Sequence, residues 1–300
     1  MGAGYAAAAY TWWGVMPAYW KLLASISPLE VVAHRVLWSL VFTVPLLLWL
    51  GRASELRSVL ADRRRRWALL ASGALIGLNW GMFIWAVGAG RIVEASFGYF
   101  LNPLVSIALG VALLGERMRR AQLVAVFLAI AGVCVLGFGS GTAPWLPLAL
   151  AATFALYGLL RKVTLVSSLV GLTIETSLIA PLALGTLAFL ARSGESHFGA
   201  DARVTALLAC SGVLTALPLL WFARAARSLP LSTLGFFQYL APTLSALLAV
   251  IRYGESFDHV RGAALLFIWA GILVYSMDSL RSDRVEPAPV SVAPSAVPPK

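Results

Sequence analysis

Ten apolar runs of about 20 residues follow one another along the chain, at about 3–22, 30–50, 67–88, 94–114, 121–138, 145–160, 169–191, 204–223, 231–251 and 261–279. A helix of that length crosses a hydrocarbon core of roughly 30 Å, so the pattern predicts an all-α membrane protein with ten transmembrane helices. Composition agrees: 60% of the 300 residues are hydrophobic and only 12% are charged, against about 25% charged in a soluble domain. So few charges cannot cover a soluble surface. Cys134 and Cys210 sit inside apolar runs, which argues against a disulfide scaffold. The net charge of +10 lies between the runs, where bilayer topology explains it better than nucleic-acid binding does.

Orientation follows from the placement of Lys and Arg. One side takes the termini and the loops after the second, fourth, sixth and eighth runs. It holds 16 of the 23 cations, among them Arg52, Arg63 to Arg66, Arg119, Arg161 and Arg227. The other side holds 6, and Arg35 lies within the second run. Both termini are therefore expected in the cytoplasm. The first run starts almost at Met1, with no basic stretch before it and no small-residue cleavage site after it, so it reads as a retained anchor. Residues 281–300 form a Pro-rich tail, with Pro287, Pro289, Pro294, Pro298 and Pro299 and too little apolar surface to fold.

The halves of the chain resemble each other. Tyr99, Leu101, Pro103, Ser106 and Gly115-Glu116 recur 139 residues later as Gln238, Leu240, Pro242, Ser245 and Gly254-Glu255. Trp85, Ala89 and Arg91 match Trp221, Ala225 and Arg227; Tyr10, Trp13 and Gly14 match Phe154, Tyr157 and Gly158 more faintly. Low-complexity apolar sequence matches itself easily, but a shared spacing from proline to Gly-Glu does not come that way. The unit is five helices, so the second copy must be inverted in the bilayer. Residues 1–140 and 141–280 are the expected repeats, and such repeats place a binding site near the midplane between them.

Candidate site residues follow from this frame. Ser96, Tyr99, Pro103, Ser106 and Gly110 form one helical stripe, matched by Gly235, Gln238, Pro242, Ser245 and Ala249. A mid-helix proline frees the carbonyl of residue i−4, which a lined cavity or a neighbouring helix can satisfy. The stripes therefore serve either packing or lining. Tyr99 and Gln238 carry polar tips that want partners at mid-membrane. Asn79 lies off the Gly73, Gly77, Gly81 packing face and is either a substrate hydrogen-bonder or an interhelical tie. Trp12, Trp13, Trp80, Trp85 and Tyr239 sit deep enough that one or two could wall a substrate, whereas Trp67 and Trp145 are interfacial anchors.

Ionisable groups inside spans are costly and mark function. Glu30 and His34, near the outer end of the second run, are expected to snorkel to the interface. Aligning Ser27-Pro28-Leu29 with Ser167-Ser168-Leu169 puts Arg35 opposite Glu175, the only acid well inside a run. Each lies about 10 Å into its helix. The expected pair is either a coupling device, protonated in one state and paired in another, or a structural lock of the second helix on the seventh. His197 and His259 stand in outer loops too sparse for a metal site. Gly137 to Gly141 is a turn with no preceding strand, so it is neither a phosphate loop nor a nucleophile elbow.

At these residues the chain resembles a known family. Asn79-Trp80, Trp85, Glu94 to Leu104 and Gly115-Glu116 resemble the RarD-like, chloramphenicol-sensitivity-type proteins of the EamA-type drug/metabolite transporter superfamily. So do Trp13-Gly14, Tyr19-Trp20-Lys21, Ala33-His34-Arg35 and Trp38-Ser39. In the second half Tyr157-Gly158, Arg161-Lys162, Gly171-Leu172-Thr173, Glu175-Thr176 and Gly235 to Tyr239 with Pro242 agree as well. The chain departs at Gly88-Ala89-Gly90 and at Arg252. The resemblance covers about residues 5 to 280 and implies two inverted five-helix repeats in a bacterial plasma membrane. It leaves the substrate undefined.

These readings together predict a secondary carrier moving a small amphipathic metabolite or drug by alternating access, without a cofactor or nucleic-acid partner. Asn79, Trp80, Tyr99, Asn102, Gln238 and Tyr239 are the candidate substrate residues, and Arg35 with Glu175 the candidate coupling or ion pair. A non-transporting scaffold or sensor would tolerate the same packing. An intramembrane enzyme would need clustered acids, His or a Ser nucleophile inside the runs, and only Glu175 lies there.

Overall fold

The computed structural model describes residues 1–89, 91–137, 145–253 and 259–283. The expected turn at 138–141, the Gly254-Glu255 pair and the tail from 284 onward lie outside these residues, as do the side chains of Glu94 and Ser96. The described residues are helical, without a strand among them. In chain order they form α1 (Gly2–Trp20), α2 (Pro28–Trp49), α3 (Ala53–Ala61), α4 (Arg63–Gly88), α5 (Ile92–Leu114) and α6 (Arg120–Gly137). Then come α7 (Trp145–Val163), α8 (Ser168–Ser193), α9 (Ala202–Ser228), α10 (Leu231–Gln238), α11 (Leu240–Tyr253) and α12 (His259–Asp283).

Local sequence sets the ends. Pro28 opens α2 at the position where a missing N–H is harmless. Asp62 accepts from the amides of Arg64 and Arg65, and Asp201 from that of Val204, so both cap the helices that follow. Gly115 and Gly194 end α5 and α8 in the left-handed region, at φ 64° and 73°. Buried hydroxyls of Thr173, Thr176 and Ser211 bond to carbonyls of their own helices. Polar groups inside the bundle are thus largely met locally.

Two elements differ from expectation. The stretch after α2, read as a plain loop, contains α3, whose Val59 packs with Leu47, Leu69, Val166 and Val170. The ninth run is broken into α10 and α11 at Tyr239. Pro242 lies just past the break and has no N–H for the carbonyl of Gln238. Pro103 leaves α5 continuous.

Pro28–Trp49, Trp145–Val163, Ser168–Ser193, Ala202–Ser228 and Leu231–Arg252 are long and apolar enough to cross a membrane. Gly98–Leu114, Arg120–Val135 and Gly262–Asp278 are shorter apolar helices. Phe127, Leu182, Phe189, Ile251 and Leu266 are largely exposed, as suits a surface that meets lipid.

Helix α2 packs on α8 and α9, α1 on α9 and α11, α4 on α7 and α8, α5 on α7 and α10, and α6 on α12. Small residues let backbones meet. Gly132 of α6 lies against the Ala264 carbonyl, where a Cβ would stand 2.7 Å away; Gly271 of α12 lies against the Ala125 carbonyl, at 2.8 Å. Gly212 of α9 sits so close to Trp38 of α2 that a Cβ would overlap its backbone.

Carboxylates fasten helix ends together. Glu116, just after α5, accepts from the amides of Leu231 and Ser232 at 2.5 and 2.9 Å and from the Ser232 hydroxyl at 2.6 Å. It caps α10 from another element. Glu55 of α3 accepts from the Ser167 amide at the start of α8, at 2.9 Å. Desolvation pushes the Glu55 carboxyl up, but Ser167 and Arg52 outweigh it and hold the group below the usual carboxylate range. That clasp has full strength near neutral pH and is lost as pH falls through the lowered value.

Three outcomes are expected from thermal unfolding of the purified protein in detergent. Glu116→Ala lowers the midpoint, since stranded donors cost about 1–3 kcal/mol. Gly212→Ala lowers it too, whereas Gly185→Ala, whose Cβ meets nothing within 4 Å, does not. Glu55→Gln flattens the loss of stability on acidification below pH ~4.

Candidate functional site

Glu175, well inside α8, is held tightly. Glu175 on α8 and Arg161 on α7 are each 1% exposed, with Nη1 and Oε1 3.6 Å apart. Ser72 of α4 donates to Glu175 Oε1 at 2.5 Å, and the Tyr157 hydroxyl to Oε2 at 3.4 Å. Arg161 Nη2 also donates to the Ser168 carbonyl at 3.3 Å, and its guanidinium lies in the space that a side chain at Gly171 would need. The Arg161 Nε and Nη1 make no hydrogen bond.

The expected partnership of Glu175 with Arg35 is therefore corrected. The short α7–α8 connection brings Arg161 beside Glu175, while Arg35 turns to Thr215 on α9. Arg161 was read as a cytoplasmic loop residue because α7 was expected to stop at 160. The helix instead runs to Val163 and buries it. Tyr157 and Arg161, four residues apart on one face with Gly171 opposite, are the sequence signal that could have found the pair.

Arg35 is half-buried and turns toward α9, where Nε donates to Thr215 Oγ1 at 3.0 Å. Its guanidinium carbon lies 4.6 Å from the Trp20 ring centroid and 5.5 Å from that of Trp80. Tyr99 on α5 is its electrostatic neighbour, is 51% exposed, and sits 6.2 Å from the Phe83 ring. No carboxylate among the described residues pairs with Arg35. Four helices thus converge on one guanidinium: α1 through the Trp20 ring, α2, α4 and α9.

The other candidates divide. Trp80 and Tyr99 belong to the Arg35 site. Asn79 donates from Nδ2 to the Leu150 carbonyl and Thr153 Oγ1, each at 2.9 Å, which is the interhelical tie between α4 and α7. Gln238 donates to Ser106 Oγ at 3.0 Å, so the matched stripes of α5 and α10 meet each other. The Tyr10 hydroxyl approaches Gln238 without closing a hydrogen bond, and Gln238 Oε1 has no partner. Asn102 is buried with an unpartnered Oδ1. Tyr239 is fully enclosed by Ala129, Ile268, Phe100, Leu104 and Ile272, away from the Arg35 site.

Tyr10, Trp13, Phe154, Tyr157 and Phe222 form a central aromatic cluster. It joins the faintly matched residues of α1 and α7. Trp12 instead donates from its indole to the Leu214 carbonyl at 3.0 Å.

Glu30 and His34 do not snorkel. Glu30 is 0% exposed and His34 4%. The Glu30 carboxylate accepts from the His197 amide at 2.8 Å and from Ser196 Oγ at 3.3 Å, and its other oxygen meets His197 Nδ1 at 2.8 Å. Phe198 stacks on the His34 ring at 4.7 Å. The loop after α8 folds over the start of α2 and seals it. At the far end of α7, a cavity of about 280 Å³ is lined by Lys162, Leu165, Arg224, Arg227 and Ser228. Lys162 and Arg227 there donate to carbonyls at helix ends.

A family model described as EamA-like transporter family matches residues 1–138. The Protein RarD of Streptomyces exfoliatus is 41% identical over 297 residues, spanning 99% of this chain and 94% of that one. This chain belongs to the EamA-like transporter family. A Vibrio cholerae protein named as an uncharacterized transporter is 43% identical across 92% of each chain. A solved crystal structure shares the fold, with a TM-score of 0.74 at 19% identity over 94% of this chain and 98% of that one. The EamA-family chain is a membrane protein, and its relatives are bacterial.

Arg161 and Glu175 give this family member a buried ion pair, and removing one partner of such a pair costs about 3–5 kcal/mol. Glu175→Ala is expected to lower the unfolding midpoint sharply. The double change Arg161→Leu with Glu175→Leu is expected to recover most of that loss, as read by thermal unfolding in detergent.

Proposed function

We propose that this chain is a secondary carrier that moves a small amphipathic metabolite or drug across the bacterial plasma membrane by alternating access. Ten spanning helices form two inverted repeats, residues 1–140 and 141–280, with both termini cytoplasmic. The observation that carries the reading is the reciprocal contact of α6 with α12. Gly132 meets Ala264 while Ala125 meets Gly271. Both pairs exchange under one shift of 139 residues, the shift that relates the two Gly-Glu motifs. A two-fold axis gives contacts of this form: residue i meets j, and j meets i.

The remaining packing fits the same exchange. Swapping each half for the other turns the contact of α5 with α7 into that of α11 with α1. It turns α2 on α9 into α8 on α4, and α1 on α9 into α7 on α4. Inverted repeats of this kind rock about a site between them, and the Arg35 site draws on helices of both halves. The excess of cations on one side supports the cytoplasmic placement of the termini. The chain carries no nucleotide-binding motif, so a gradient would supply the energy. Glu175 is the candidate coupling group: its protonation would release Arg161 and loosen α7 from α8.

Uptake and counterflow in proteoliposomes test this, with labelled metabolites and drugs supplied with and without a pH gradient, on wild type and Glu175→Gln. Saturable flux driven by the gradient and at least tenfold uncoupled in the variant is expected. Flux indifferent to both leaves a carrier whose Arg161–Glu175 pair is structural. Folded protein that moves nothing favours a scaffold or sensor.

A further inference from the structure

Arg35 is charged under all ordinary conditions, presents five N–H donors, and uses one of them on Thr215. A guanidinium about 10 Å inside a spanning helix is costly to hold without compensation. The rings of Trp20 and Trp80 supply part of it through their faces. Ring contacts of this kind leave the in-plane N–H edges unsatisfied. Those edges match a carboxylate, which accepts two parallel N–H bonds from one guanidinium. The Tyr99 hydroxyl stands in the same field and can donate to the same anion.

The site's other chemistry narrows the ligand. The two buried acids described inside the bundle are already engaged, Glu175 by Arg161 and Glu30 by His197. Among the described residues, no carboxylate is left there to receive an ammonium group. A zwitterion or an amine would bring a positive charge beside Arg35 with nothing to meet it. A monoanion meets the charge and leaves none over. The walls are aromatic, which suits an apolar and preferably flat body.

We infer that Arg35, positioned by Thr215, whose own hydroxyl proton is given to the Ser211 carbonyl, recognises with Tyr99 the carboxylate of an organic monoanion whose apolar body packs among Trp20, Trp80 and Tyr99. This rests on the carrier reading for its physiological meaning, but binding can be measured without transport. The substrate class is then aromatic or similarly apolar carboxylates, distinguished from amino acids and amines by the missing acid partner.

Full-length protein in detergent is titrated with benzoate, indole-3-acetate, phenylalanine, benzylamine and benzamide while thermal unfolding is followed. Benzoate and indole-3-acetate are expected to raise the midpoint saturably, and the amine, zwitterion and neutral amide to do so at least tenfold more weakly. Arg35→Gln is expected to abolish the shift, and Arg35→Lys to weaken apparent affinity at least tenfold, because an ammonium lacks the bidentate edge. If Arg35→Gln fails to fold, the Thr215→Val and Tyr99→Phe variants must each weaken anion binding severalfold.

Equal stabilisation of wild type and variants, no stabilisation by either anion, or stronger binding of amine or zwitterion overturns the inference. The same panel in proteoliposomes separates the two readings. Arg35-dependent binding without flux of any compound keeps the inference and removes the carrier. Flux of benzylamine that ignores Arg35 keeps the carrier and removes the inference.

Discussion

A charge taken out of water must be met inside the protein, and in this chain four carboxylates do most of that work. Glu30 ties the loop after α8 to the start of α2, and Glu55 ties α3 to the start of α8. Glu116 caps α10, and Glu175 holds Arg161 against α8. Each joins segments that the hydrophobic effect alone would leave free to slide, since lipid tails are as apolar as the helix faces between them. Once these four are engaged, Arg35 is a deep cation with no acid to meet it among the described residues. On the inference drawn for Arg35, the arrangement of the structural charges is what leaves the functional one open.

Much of the fold could be read from the chain because hydrocarbon imposes length and period on it. The helices begin and end within a few residues of the apolar runs, and glycines such as Gly115 end them where the sequence places them. Depth along a helix was legible too, which is why Arg35 and Glu175 stood out. Which neighbour a deep residue faces was not. Arg161 looked like a loop cation because its helix passes its apolar run by three residues. Glu30 looked interfacial because the covering loop contributes Ser196 and His197 from more than 160 positions away. The stripes of α5 and α10 share a spacing, but spacing does not say that they lie against each other through Gln238 and Ser106. Periodicity assigns a face to a helix; it does not say what that face meets.

The break in the ninth run shows how one residue is used twice. Pro103 and Pro242 occupy matching positions, yet α5 is continuous and the second copy divides at Tyr239. Glu116 caps the short α10 so created, offsetting part of the loss at its other end. A helix of eight residues has few internal bonds to hold it, and its stability therefore depends on its caps and packing. On the rocking model, this is the element whose hinge would cost least to move.

Symmetry in the scaffold and asymmetry in the chemistry go together. Aligning the sequences of the two halves sets Arg35 against Glu175, with opposite charges, a relation that suggests a direct pair. Each has instead been given different company: Glu175 an arginine, a serine and a tyrosine, and Arg35 a threonine and two indoles. Had they paired with each other, both charges would be satisfied and neither would be available. Because Arg161 occupies Glu175, the guanidinium on the other half keeps its open edge. A pseudo-symmetric bundle needs a feature of this kind if a single ligand is to bind in one orientation. On the proposed repeat, the matching position offers a carboxylate already engaged, which would repel a second anion rather than hold it.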